Sequence, residues 1–119
     1  MTEKRMPRVY IVQKPYKDLD FSSASRYGAL QFVFDSTDKP SLLPAPNFQK
    51  ACKALKDFAE NDYLLIIGGD PVGVVVTVAA LIEHGFKKVN VLRYEREKDL
   101  QGNRTNNGYY VPIPVPLKF

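Results

Sequence analysis

Asp62-Tyr63-Leu64-Leu65-Ile66-Ile67-Gly68-Gly69-Asp70-Pro71, followed by Val72-Gly73-Val74-Val75-Val76-Thr77-Val78-Ala79-Ala80-Leu81-Ile82-Glu83-His84-Gly85, decides the fold. The apolar run from Tyr63 to Ile67 has the unbroken hydrophobicity of a parallel strand covered on both faces, and two glycines then release the backbone into a turn. Asp70 is placed to cap the helix that follows, with Pro71 at the first helical position, where a missing amide hydrogen costs nothing. Lys88-Val89-Asn90-Val91-Leu92 returns as a second strand, so residues 62–95 read as a βαβ unit. The crowded valines permit a strand by propensity. The Asp-Pro start, the Gly85 stop and the length favour a helix over 71–84.

That helix has almost no polar face, and a helix apolar all round is buried. A chain of 119 residues offers little to cover it twice. The expectation is a homodimer or larger ring, with Val72, Val75, Val76 and Ala79 at the interface.

Upstream, residues 1–7 read as a flexible leader, and Arg8-Val9-Tyr10-Ile11-Val12-Gln13 as a strand that Lys14-Pro15 ends. Between Asp20 and Gly28 there is room for one or two helical turns, and residues 29–34 form a second strand. Pro40, Pro44 and Pro46 with Asp35 and Asp38 predict irregular structure over 35–46. Asn47 then caps an amphipathic helix whose buried stripe is Phe48, Ala51, Cys52, Leu55, Phe58 and Ala59. Cys52 on that stripe reads as a small core hydrophobe.

Downstream, residues 93–99 extend the strand with mixed charge, 101–108 form a polar loop, and 109–119 return antiparallel. Pro112, Pro114 and Pro116 share one parity, so their missing amide hydrogens fall on one side, while Ile113, Val115 and Leu117 keep donors for the other. Only an edge strand tolerates that pattern. Ile113, Val115 and Leu117 are a second candidate oligomer interface; a proline-rich arm docked on a partner is the rival reading.

Right-handed crossovers assemble these elements into one α/β domain over 1–119, a small, mostly parallel Rossmann-like or flavodoxin-like sheet flanked by helices. The strand order is 2-1-3-4 with an antiparallel C-terminal edge strand. Ligands in such sheets gather where the order reverses, here between Gln13-Lys14 and Gly68-Gly69-Asp70. The chain resembles a family of small α/β proteins found in tailed bacteriophage genomes. The likeness rests on Arg8-Val9-Tyr10-Ile11-Val12, the short 21–28 segment, Asp62-Tyr63-Leu64-Leu65-Ile66-Ile67-Gly68, the Pro-led Ala- and Val-rich helix, and Val91-Leu92-Arg93-Tyr94 before a Tyr-Val-Pro strand. The resemblance implies a phage origin and a Rossmann-like fold, and no particular activity.

Composition narrows the function classes. One cysteine and one histidine supply neither a disulfide nor a thiolate zinc site, so no metal and no cofactor is expected. No apolar run reaches the length of a membrane helix, which predicts a protein of the host cytoplasm, free or virion-associated. Ser22, Ser23, Ser25, Thr77, Cys52 and His84 sit in segments with no reason to converge, and Asp18 and Asp20 read as solvated loop carboxylates, so no catalytic residue is assigned. His84 reads as a charge at a helix end. The net charge of +4, with Lys50, Lys53 and Lys56 on one helix and Arg93, Arg96, Lys98 and Arg104 near Tyr94, Tyr109 and Tyr110, allows weak, nonspecific nucleic-acid binding.

Two functional readings follow. The first is a non-enzymatic phage accessory protein that self-associates and binds a host or phage macromolecule. The second is a nucleotide- or phosphate-metabolite-binding domain using Lys14, Gly68, Gly69, Asp70 and Gly73. It lacks a dinucleotide fingerprint or a P-loop, and Asp70 stands where an anion would sit.

Overall fold

Strand pairing confirms the topology in full. In the computed structural model, which describes residues 5–15, 17 and 19–119, five strands form one sheet in the order β2-β1-β3-β4-β5. They are β1 (Arg8–Gln13), β2 (Ala29–Phe34), β3 (Tyr63–Leu65), β4 (Lys88–Lys98) and β5 (Arg104–Pro116). The first four pair in parallel and β5 runs antiparallel to β4. Three helices connect them: α1 (Ser22–Ser25), α2 (Pro44–Ala54) and α3 (Pro71–Glu83).

Alternation along the strands builds two apolar layers. Tyr10, Val12, Val33, Leu64 and Val89 pack with Ala51, Leu55, Phe58, Val76, Ala80 and Leu81 in the larger one. Val9, Ile11, Leu65 and Leu92 face the other way, against Ala24, Phe21 and Tyr27. The larger layer lies under α2 and α3, the smaller under the single turn of α1. Gly73 belongs to the first: a side chain there would press on Pro40 and Phe34, so its lack of a β-carbon lets α3 approach β2 closely.

Several boundaries depart from expectation. β3 pairs only through Leu65, because its registers with β1 and β4 end at Ile11 and Leu92; Ile66 and Ile67 continue out of the sheet. α2 begins at Pro44 rather than Asn47, since prolines in a first turn forfeit only amides that have no helical partner anyway. Asn47 sits inside that turn, donating its side-chain amide to the Leu43 carbonyl at 2.8 Å. The expected loop over 101–108 is largely strand. The tight turn lies at 99–103, where the Asp99 carboxylate accepts from the amides of Gln101 and Asn103, both at 2.9 Å, and the hairpin then shifts register between Arg96 and Lys98.

The proline reading of β5 fits the register. Pro112, Pro114 and Pro116 stand opposite Leu92, Asn90 and Lys88, and the Leu117 amide donates to the Lys87 carbonyl at 2.7 Å. The opposite parity therefore holds the strand to β4. α3 is capped as expected, with Asp70 accepting from the Val72 amide at 3.0 Å. It is not buried all round. Gly73, Val76, Thr77, Ala80 and Leu81 face the chain's own core, whereas Val75 is 66% and Ile82 50% exposed.

The leader expected over residues 1–7 lies partly outside the described residues. Its described end is tied down: Arg5 forks onto the buried Asp62 carboxylate, which also accepts from the amides of Arg8 and Ala59, each at 2.8 Å.

Candidate functional site

Three segments meet beyond the carboxyl ends of β1, β2 and β3, where the strand order reverses. The side chain that joins them is Gln13, the last residue of β1, which is 7% exposed. Its amide nitrogen donates to the carbonyls of Asp35 at 3.2 Å and Asp38 at 2.8 Å, and its oxygen accepts from the Asp70 amide at 3.0 Å. One buried amide thus holds the segment after β2 and the turn after β3 in a fixed relation. All its hydrogen-bonding groups but one lone pair are engaged.

The turn itself needs its glycines. Gly68 and Gly69 have φ of 43° and 78°, in the left-handed region, and a β-carbon on Gly69 would stand 2.6 Å from Gln13 Oε1. Asp70 follows and already holds three donors: it accepts from the Val72 amide, from the Ser41 amide at 2.7 Å and from the Ser41 hydroxyl. Those donors, the Ser41 hydroxyl foremost, hold its carboxyl below the usual aspartate range.

Around this framework lies a cleft of about 540 Å³. Its apolar lining includes Pro15, Leu19 and Ile67, and Lys14, Lys17 and Lys39 border it. Asp38, the second carboxylate at its rim, is engaged by Lys50 at 2.6 Å. Burial alone would raise Asp38, but that lysine and the Asp35 amide hold it below its ordinary value. Three lysines therefore border the cleft, while both carboxylates already have donors.

The candidate ligand residues are divided by this geometry. Lys14, Gly68, Gly69 and Asp70 come together at the cleft; Gly73 does not, being buried against Pro40 and Phe34. The helix amino terminus is closed to an anion. Pro71 has no amide hydrogen, the Val72 amide is taken by Asp70, and the Asp70 amide by Gln13. Sequence reasoning missed Gln13, Ser41, Lys17 and Lys39. For Gln13 the signal was a polar residue ending an otherwise apolar strand at the switch point.

The candidate interface residues also separate. Val75 lies outward, Val72 and Ala79 are half-buried, and Val76 is 8% exposed within the chain's own core, so it is unavailable to a partner. Ile113 and Val115 are exposed and Leu117 half-buried. Among the catalytic candidates, the Thr77 hydroxyl donates to the Gly73 carbonyl at 2.7 Å, and the His84 ring meets the Cys52 carbonyl at 2.8 Å, joining α3 to α2. Asp20 accepts from the Ser22 amide at 2.9 Å; Asp18 lies outside the described residues.

A family model for the Phage Pam3 gp32-like protein matches residues 7–113. The chain belongs to that family. It is thus a phage protein, and the matched span takes in every strand through Ile113, together with the whole cleft. Neither the curated proteins nor the solved structures held a match to it. Among its described residues, no helix is long and apolar enough to cross a membrane, and no group of three or more metal-ligating side chains converges.

Proposed function

We propose that this phage protein is a non-enzymatic accessory protein that works by binding, and that its cleft takes a small phosphate-bearing metabolite or nucleotide. The observation that carries the reading is the convergence of Lys14, Lys17 and Lys39 on a preformed cleft at the strand-order reversal, beside acidic groups already satisfied. Such a crevice is where open α/β sheets bind ligands, and flexible ammonium groups suit a phosphate. The anion is held by lysine side chains and not by the amino terminus of α3, whose amides are spent. Native mass spectrometry of freshly purified protein tests this. A retained phosphate-bearing mass, lost from a Lys14→Ala/Lys39→Ala variant, is expected; retention unchanged in that variant would refute it.

A second reading has its own observation. Pro71, Val75, Ala79 and Ile82 recur at helical spacing along the outer side of α3 without a charged residue among them, and Val75 is 66% exposed. Such a stripe suits a second copy of the chain across a two-fold axis, and a self-associated form would present its surface to a host or phage macromolecule. Light scattering at micromolar concentration should give a dimer or larger species, and Val75→Glu a monomer. A monomeric unmodified chain would remove this reading.

A further inference from the structure

The cleft has a neighbour that the reading above leaves unused. Leu19 and Ile67 line both it and a second cleft of about 780 Å³, on whose far side stand Tyr94, Tyr110, Asn107 and Gly108. The Tyr94 ring packs on Tyr110 at 5.1 Å between centroids and is 45% exposed. Its position is dictated by Gly108: a β-carbon there would lie 2.3 Å from Tyr94 Cζ, so the ring covers the strand because position 108 has no side chain. An aromatic surface fixed in this way loses little freedom when something stacks on it.

Register places the two clefts at one level of the sheet. Ile11, Leu65 and Leu92 are the last residues paired across β1, β3 and β4, and Gln13, Ile67 and Tyr94 each follow two residues further along their own segment. At that last paired level two strand spacings, roughly 10 Å, separate β1, which leads into Lys14, from β4, which leads into Tyr94. Lys14 Nζ lies 5.8 Å from the centre of the Phe32 ring, and Phe32 packs edge-on to Phe21, a wall of the second cleft. Cations at one end, an apolar middle at Leu19 and Ile67, and a tyrosine face at the other end match a nucleotide in both chemistry and reach.

Resting on the phosphate reading of the first cleft, we infer that the two clefts form one nucleotide site. The phosphates meet Lys14, Lys17 and Lys39, the sugar crosses Leu19 and Ile67, and the base stacks on Tyr94 with the Asn107 amide within its compass. The same chemistry is offered by a free nucleotide and by a strand of nucleic acid.

Isothermal titration at low salt tests it with three probes: adenosine triphosphate, inorganic tripolyphosphate and a short oligothymidine. Adenosine triphosphate should bind roughly tenfold or more tighter than tripolyphosphate, the increment of one stacked base. Tyr94→Ala should bring adenosine triphosphate down to the tripolyphosphate level and leave tripolyphosphate unchanged, Tyr94→Phe should keep the difference, and Lys14→Ala/Lys39→Ala should weaken both. If Tyr94→Ala does not fold, Tyr94→Leu keeps apolar cover over Gly108 without an aromatic face and should give the same loss. Equal binding of the two polyphosphates, indifferent to Tyr94, overturns the base site while the phosphate reading stands. Binding of neither overturns both. Oligothymidine tighter than adenosine triphosphate and dependent on Tyr94 assigns the site to a nucleic-acid strand; weaker binding assigns it to free nucleotide.

Discussion

Gln13 Oε1 accepts the Asp70 backbone amide at 3.0 Å, joining the end of β1 to the start of α3 across the point where the strand order reverses. The same side chain donates to Asp35 and Asp38, so the floor of the cleft is set by one buried amide and not by a glycine loop wrapped around a phosphate.

Gln13→Leu keeps the bulk and removes all three hydrogen bonds. Chemical denaturation should show a loss of about 2 kcal/mol, part of the penalty being relieved because the freed carbonyls lie near solvent. Gln13→Glu should keep the acceptor for Asp70 but set a buried carboxylate oxygen against the Asp35 and Asp38 carbonyls, and should cost more than Gln13→Leu.

The two turn glycines should differ in a stated order. Gly68→Ala meets nothing within 4 Å and bears only the strain of positive φ, about 1 kcal/mol. Gly69→Ala adds a collision with Gln13 Oε1 and should cost about 2 to 3 kcal/mol. Equal losses in urea denaturation would mean that the Gln13 contact does not constrain the turn.

Asp62 is the most heavily bonded carboxylate of the chain's described residues, and it anchors the approach to β1. Asp62→Ala leaves the Arg5 fork and two backbone amides without their acceptor, and should cost about 3 kcal/mol. Arg5→Ala should cost less, because the two amides still hold the carboxylate. The denaturation midpoints of the two variants give the comparison.

Acid should weaken the site through Asp70. Its folded pKa lies below that of the unfolded chain, so its contribution is fully present above the ordinary aspartate range and is lost as pH falls through the folded value. Ser41→Ala removes the foremost cause and should flatten the decline of stability in mild acid. At neutral pH it should also lower stability, because the carboxylate keeps fewer donors.

Topology was legible because it is written in local signals: an apolar strand run, an Asp-Pro helix start, and prolines of one parity that admit only an edge strand. The boundaries were less so. Asn47 and Pro44 both make good helix starts, and the contacts just upstream that fix the approach to α2, Pro40 beside Gly73 and Ser41 on Asp70, are long-range and leave no local signal. The candidate site was legible in place and partly in residues. Lys14 and the Gly68-Gly69 turn flank the switch point, but Ser41, Lys17 and Lys39 reach it from loops whose course depends on Gln13, a long-range contact that carries no periodic signal. Val76 was misplaced for a similar reason: a helix apolar on all sides gives no clue to which side meets its own core.

Nuclear magnetic resonance titration of the folded protein with inorganic pyrophosphate tests the central claim most directly, since it reports where an anion sits as well as whether it binds. The account predicts saturable shifts concentrated at the amides of Lys14, Lys17, Lys39, Gly68 and Gly69, abolished in Lys14→Ala/Lys39→Ala. Shifts that do not saturate, or that spread equally over Lys50, Lys53, Lys56, Lys87 and Lys88, would contradict it.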